Sequence, residues 1–135
     1  MDLEATAEVE VTSENPAHPI EAALLPGAGS GWRAAEPGPQ TIRILFDTPT
    51  DVRFIHLVFT EETTPRTQEF VLRWSADDGP RLQEILRQQY NFTPVSSEVE
   101  DYAVELHRAR RIELEVNPNI SDPGAFAELT ELRFR

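Results

Sequence analysis

The feature that most restricts the fold of this chain is a period-two alternation of apolar and polar side chains, repeated along most of its length. Such alternation is typical of β-strands with one face in a core and the other in water. It occurs in residues 5–12, 42–47, 69–74, 102–107, 112–116 and 131–135. The segments "DTPTD", "EETTPR", "ADDGP" and "NPNISDPG" lie between these runs and are typical of turns. Many short strands separated by turns predict an all-β fold, an antiparallel β-sandwich or jelly roll.

Three segments depart from the alternation. Residues 52–59, "VRFIHLVF", are apolar on both faces, which indicates either a central strand covered on both sides or a strand at a packed interface. Residues 16–27 could form one or two helical turns that stop at the Pro-Gly pair. Residues 81–90, "RLQEILRQQY", suit a strand and a short helix equally, and Pro80 would be well placed at a helix start.

The length and residue usage limit the class of protein. A chain of 135 residues is one domain's worth, so we expect a single domain over residues 1–135. The absence of cysteine excludes disulfides and thiolate metal sites. The N-terminus "MDLEATAEVEV" is acidic and lacks the apolar run of a signal peptide, and no stretch has the length of a membrane helix. We therefore expect a cytoplasmic protein.

The charge of the chain argues against several functions. Its net charge of −12 repels phosphate backbones, so nucleic acid is not an expected partner. A membrane is not expected either, because no apolar stretch is long enough to span one. The three histidines, His18, His56 and His107, lack the spacing of a metal-dependent enzyme, and no serine stands in a Gly-x-Ser-x-Gly motif. We predict that the protein is not an enzyme. A small hydrolase that uses surface carboxylates remains an alternative.

The stretch "GSGWRAAEPGPQTIRILFD" places Trp32 between a glycine cluster and a strand. In order along the chain come "IEAALLPGAGSGWRA", "QTIRILFD", "RWSADDG" and "LTELRF". This order resembles the layout of discoidin-like domains, which include the coagulation-factor type C and family 32 carbohydrate-binding modules. The resemblance covers nearly the whole chain and implies a galactose-binding-domain-like jelly roll. It also implies that Trp32 closes one end of the sandwich, with Gly27, Gly29 and Gly31 letting the loop wrap around it.

The resemblance also implies one possible cofactor, a structural calcium ion. In such modules calcium often lies where the glycine loop meets the last strand, bound by loop carbonyls, an Asp and a Glu. The matching groups here are Glu131 and the carbonyls of residues 23–27, among them Ala23 and Gly27. The loop has Pro26 where the family pattern has Asp. An arginine such as Arg133 could therefore pair with Glu131 in place of the ion.

The role predicted from the sequence is a non-catalytic binding module whose partner is a protein or a carbohydrate. The first hypothesis is protein contact or assembly, and the alternative is recognition of a sugar at the loop end. A sugar site needs exposed aromatic rings beside amide and charged groups. The segment "QQYNF" supplies Tyr90 and Phe92, with Arg66, Gln68 and His18 as possible neighbours. The competing interpretation is that Tyr90 and Phe92 are core residues, as expected of aromatics in a sandwich.

Overall fold

The computed structural model describes residues 1–27, 30–77, 79 and 81–135. The predicted roles of Gly29 in the glycine loop, of Asp78 in the "ADDGP" turn and of Pro80 at a helix start lie outside the described residues. In the described part, the elements are α1 (Leu3–Thr6), β1 (Ala7–Val11), α2 (Glu21–Leu24), β2 (Trp32–Pro37), β3 (Gln40–Glu61), β4 (Arg66–Ser75), β5 (Gln83–Phe92), β6 (Ser96–Asn117), β7 (Phe126–Leu129) and β8 (Glu131–Phe134). Within these residues, no helix is long and apolar enough to cross a membrane.

Two strands of 22 residues each, β3 and β6, build both layers of the fold. The first part of β3 pairs with β1 and with the second part of β6, and β4 and β5 extend this layer in the order β1-β3-β6-β4-β5. The second part of β3 pairs with the first part of β6 and with β8. All these pairings are antiparallel, so the predicted antiparallel sandwich is confirmed.

The segment "DTPTD" lies inside β3 and is not a turn between two strands, so that prediction is wrong. The β3–β6 register shifts three times between Leu45 and Phe54, and Arg108 on β6 has a positive φ of 55°. Such irregularities bend a strand without ending it. They let β3 and β6 pass from one layer into the other.

The core lies between the two layers. Ile42, Ile44 and Phe46 of β3 point inward, as the alternation predicts. Further along β3, one face of residues 52–59 is fully buried, whereas the opposite face is only half-buried. This strand is central in the hydrogen-bonding order but is not covered completely on both sides. Across the layers Phe59 stacks on Phe70, with ring centroids 5.3 Å apart.

The two ambiguous segments have different outcomes. Within residues 16–27 the chain forms one helical turn, α2, which confirms the prediction there. Residues 81–90 contribute to strand β5, which pairs with β4 from Arg66 to Trp74. The helical alternative for this segment is therefore wrong, because the edge of β4 satisfies its backbone groups and favours an extended chain.

Trp32 is a core residue, as the resemblance implies. Its indole is 1% exposed and its Nε1 donates a hydrogen bond to the carbonyl oxygen of Ser13 at 3.1 Å. Gly31 has a φ of +91°, and a Cβ at this position would lie 2.5 Å from the carbonyl oxygen of Leu129. Trp32 itself pairs with Leu129 in a two-stranded β2–β7 sheet that the sequence did not reveal. Glycine is therefore required where the loop passes this strand.

Candidate ligand-binding cleft

A cleft of about 740 Å³ opens at the end of the sandwich next to Trp32. Its walls come from parts of the chain that are far apart in sequence: His18, the group Ser30, Trp32 and Arg33, the β3–β4 loop with Arg66, and seven residues between 119 and 130. Concave sites of this size, with a few convergent polar groups, are typical of small-molecule sites. The cleft is therefore the strongest candidate for a binding site in the described part of the chain.

Phe126 is a large apolar residue on the wall of this cleft and is 39% exposed. Along β7, Ala127 and Leu129 are fully buried, so the alternation of the strand puts Phe126 and Glu128 on the opposite face. The guanidinium carbon of Arg33 lies 5.9 Å from the Phe126 ring centroid, and Arg33 Nη1 lies 3.4 Å from Glu128 Oε1. An exposed ring thus stands beside a paired guanidinium and carboxylate.

Arg66 ties together the two loops that bound the cleft. Its side chain is only 4% exposed. Its Nε donates to Glu61 Oε1 at 2.6 Å, and its Nη1 donates to the carbonyl oxygen of Pro118 and to Gln68 Oε1, both at 2.8 Å. The guanidinium also lies 4.3 Å from the centroid of the Phe92 ring. With these contacts, Arg66 supports the walls of the site rather than meeting a ligand.

Two carboxylates of the cleft have pKa values displaced in opposite directions. Burial alone would raise the pKa of Glu61, but the amides of Thr63 and Thr64 and the Arg66 guanidinium hold it below its usual value. Burial raises the pKa of Glu128. The Arg33 guanidinium lowers it, but by less, so the pKa lies above its usual value. Opposed shifts in one cleft are what a carboxylate-based hydrolase needs. However, both oxygens of Glu61 already accept hydrogen bonds from loop amides and Arg66.

The structure brings two of the five predicted ligand residues, His18 and Arg66, to the same cleft. His18 Nδ1 lies 3.0 Å from the hydroxyl of Ser30. Gln68 and Phe92 are buried, so their predicted role as ligand contacts is corrected to packing and hydrogen bonding around Arg66. Tyr90 lies outside the cleft lining, half-buried against the core, and its hydroxyl donates to the carbonyl oxygen of Ser97.

The residues predicted to bind calcium do not fit that ion. The carbonyl oxygen of Ala23 accepts a hydrogen bond from Arg133 Nη1 at 2.6 Å. The carboxylate of Glu131 faces another element, because its Oε2 lies 3.3 Å from His56 Nε2. In the part of the chain that the structure describes, no group of three or more His, Asp or Glu residues is arranged to hold a metal. The expected pairing of Arg133 with Glu131 is not observed among the described residues, since Arg133 Nη1 donates to the carbonyl oxygens of Ala23 and Leu132.

No family model and no curated protein matches the sequence. Solved structures of low identity share the fold. A pectin-binding carbohydrate-binding module has a TM-score of 0.71 and 15% identity, covering 96% of this chain and 90% of that module. The family 32 module of C. perfringens NanJ, solved in complex with galactose, has a TM-score of 0.70 and 13% identity, covering 98% and 96%. The family 32 module of AlyQ, in complex with 4,5-unsaturated mannuronic acid, has a TM-score of 0.70 and 18% identity, covering 96% and 95%.

The fold is thus a discoidin-like, galactose-binding-domain-like jelly roll, and the resemblance noted in the sequence is confirmed at this level. More narrowly, it is the β-sandwich that family 32 carbohydrate-binding modules have. The structural similarity shows the fold alone, and the ligand has to be argued from the cleft.

Proposed function

We propose that this protein is a non-catalytic carbohydrate-binding module and that the cleft beside Trp32 holds the sugar. The observation that carries the proposal is the exposed ring of Phe126, flanked by Arg33 and Glu128. The apolar face of a pyranose ring can pack on an aromatic side chain. Its hydroxyls need donors and acceptors at the rim, which the guanidinium and the carboxylate supply.

The solved structures add support of a different kind. Modules with this fold have been seen with galactose and with 4,5-unsaturated mannuronic acid. This favours a sugar over the protein partner that was the first hypothesis from the sequence. The aromatic ring proposed here also differs from the two expected, since Phe92 is buried, Tyr90 lies outside the cleft lining and Phe126 is exposed.

The test is a glycan array followed by calorimetry on the sugars that bind, comparing the wild type with Phe126→Ala. Because Phe126 is partly exposed, we expect the variant to fold and to lose at least about tenfold in affinity. The matched control is Val99→Ala, which removes an exposed apolar side chain outside the cleft and should bind as the wild type does. A silent array, or equal binding by Phe126→Ala and the wild type, would overturn the proposal.

A carboxylate-dependent glycoside hydrolase is the second candidate, favoured by the opposed pKa displacements of Glu61 and Glu128. The hydrogen bonds that occupy both oxygens of Glu61 weigh against it, because they hold the carboxylate of Glu61 in the loop and hinder it from acting as base or nucleophile. Long incubation with each oligosaccharide that binds should release no reducing ends. Release that disappears in Glu128→Gln would establish the hydrolase instead.

A further inference from the structure

The charges of the cleft restrict which sugars it can accept. Glu61, Glu62, Asp122 and Glu128 contribute carboxylates to its lining. The guanidiniums come from Arg33 and Arg66 alone among the described lining residues. The chain as a whole has a net charge of −12, which adds to the negative potential at the cleft.

Both guanidiniums are already engaged. Arg66 is buried and bound to Glu61, Gln68 and Pro118. Arg33 is paired with Glu128 and lies over the Phe126 ring. A sugar carboxylate entering the cleft would share the guanidinium of Arg33 with Glu128, whose Oε1 lies 3.4 Å from Arg33 Nη1. The two carboxylates would then repel each other.

The remaining carboxylates, Glu62 and Asp122, have no ion-pair partner among the described residues. They lie in the β3–β4 and β6–β7 loops, the two loops that Arg66 joins through Glu61 and Pro118. Asp122 uses one oxygen, Oδ1, to accept a hydrogen bond from the amide of Gly124 at 2.8 Å. The negative charge at the cleft therefore exceeds what its own cations neutralise.

The state of Glu128 agrees with this excess. Burial raises its pKa first, and the neighbouring carboxylates of Glu61 and Glu62 raise it further, while Arg33 and Arg66 lower it. The positive charges nearby therefore compensate its ionised form only in part, and a cation bound close to Glu128 would favour that form.

Resting on the proposed function, we infer that the cleft selects amino sugars over their uncharged analogues and rejects uronic acids. The amine is held by the carboxylates of Glu62 and Asp122, while the sugar ring packs on Phe126. This specificity comes from the charges of the cleft, whereas binding itself comes from the ring and the rim groups. The two can therefore be separated by experiment.

The test uses two series of sugars that keep one ring stereochemistry and change only the charge. One series is galactosamine, galactose and galacturonic acid, and the other is glucosamine, glucose and glucuronic acid, at a mildly acidic pH where the amine is charged. In the series that binds, we expect the amino sugar to bind most tightly, the neutral sugar less tightly and the uronic acid least. The affinity of the amino sugar should exceed that of the uronic acid by about tenfold. Added salt should shrink this range.

Variants assign the preference to particular residues. Glu62→Gln and Asp122→Asn should each reduce the ratio between the affinity for the amino sugar and the affinity for its neutral analogue. The control is Glu105→Gln, which removes an exposed carboxylate outside the cleft and should preserve the preference. If the uronic acid binds as well as its neutral analogue, the inference fails and the proposed function stands. If all six sugars and the array are silent, the proposed function fails and the inference with it.

Discussion

Arg133 on β8 donates a hydrogen bond from Nη1 to the carbonyl oxygen of Ala23 in α2 at 2.6 Å. The same nitrogen also donates to the carbonyl oxygen of Leu132 at 2.9 Å. The guanidinium therefore joins the glycine-loop side of the sandwich to the last strand, where the sequence resemblance implies calcium. The carbonyl oxygen that the resemblance assigns to the metal ion thus already accepts a hydrogen bond from a charged guanidinium.

We predict that the stability of the protein depends on Arg133 and not on calcium. Arg133→Met should lower the free energy of unfolding by about 1–3 kcal/mol, because the Ala23 carbonyl loses a charged donor. Arg87→Met is the control: this arginine lies on the exposed face of β5, and its ion pairs there contribute at most about 1 kcal/mol. Denaturant titration measures both. A wild-type melting temperature that rises with calcium and falls with a chelator would contradict the prediction.

The two glycines beside α2 and Trp32 should differ in how they tolerate alanine. Gly27 and Gly31 both have positive φ, +71° and +91°. A Cβ at Gly27 would meet nothing within 4 Å, so Gly27→Ala should cost only about 1 kcal/mol of backbone strain. A Cβ at Gly31 would lie 2.5 Å from the backbone of Leu129, so Gly31→Ala should cost at least about 3 kcal/mol. Equal losses in thermal denaturation would show that the close approach to β7 is unimportant.

How much of this fold is visible in the sequence depends on the length of each element. The alternation of residues 42–47 and 112–116 is long enough to identify strands and their buried faces. The four-residue β7 is too short to show a period, so its pairing with β2 went unseen. The bend within β3 resembled a turn because the sequence "DTPTD" favours turns in isolation, whereas pairing with β6 on both sides of the bend keeps the strand continuous.

The candidate site was less predictable than the fold for a physical reason. Phe92 and Phe126 have the same side chain, and only the tertiary structure decides which one is exposed. Phe92 pairs with Arg66 on the inner face of β5, under a guanidinium, while Phe126 begins an edge strand at the mouth of the cleft. The walls of the cleft also come from segments distant in sequence, which no local motif brings together.

Replacing Trp32 should show how much the end of the sandwich depends on its indole. Trp32→Ala should lower the free energy of unfolding by roughly 3–5 kcal/mol, because the ring is buried and its Nε1 bonds to Ser13. Trp74→Ala is the matched control, since that indole is only partly buried and should lose clearly less. Urea unfolding followed by circular dichroism avoids relying on tryptophan fluorescence. A near-neutral effect of Trp32→Ala would move this residue from the core to the ligand-facing surface.

The last prediction concerns Glu98, a carboxyl that is 2% exposed on the inner face of β6. Its Oε1 accepts a hydrogen bond from Gln68 Nε2 at 3.4 Å, and its Oε2 has no hydrogen-bond partner among the described residues. Burial, together with the neighbouring carboxyl of Glu100, raises the pKa of Glu98 to about 8 from an ordinary value of 4.5. The folded protein thus keeps a proton that the unfolded chain releases. The contribution of Glu98 to stability is therefore greatest below pH 4.5 and is lost progressively up to about pH 8.

Glutamine cannot ionise, so Glu98→Gln should remove this loss. Its free energy of unfolding should match the wild type below pH 4.5 and exceed it increasingly up to pH 8, by roughly 4 kcal/mol at the upper end. Above that pH the difference should level off, since Glu98 is then ionised in both states of the wild type. Urea titrations at a series of pH values measure the difference, in which the other carboxylates cancel. Glu105→Gln, an exposed position on the same strand, should give a curve parallel to the wild type. A parallel curve for Glu98→Gln as well would mean that Glu98 is ionised in the folded protein at neutral pH, with Arg66 outweighing the effect of burial.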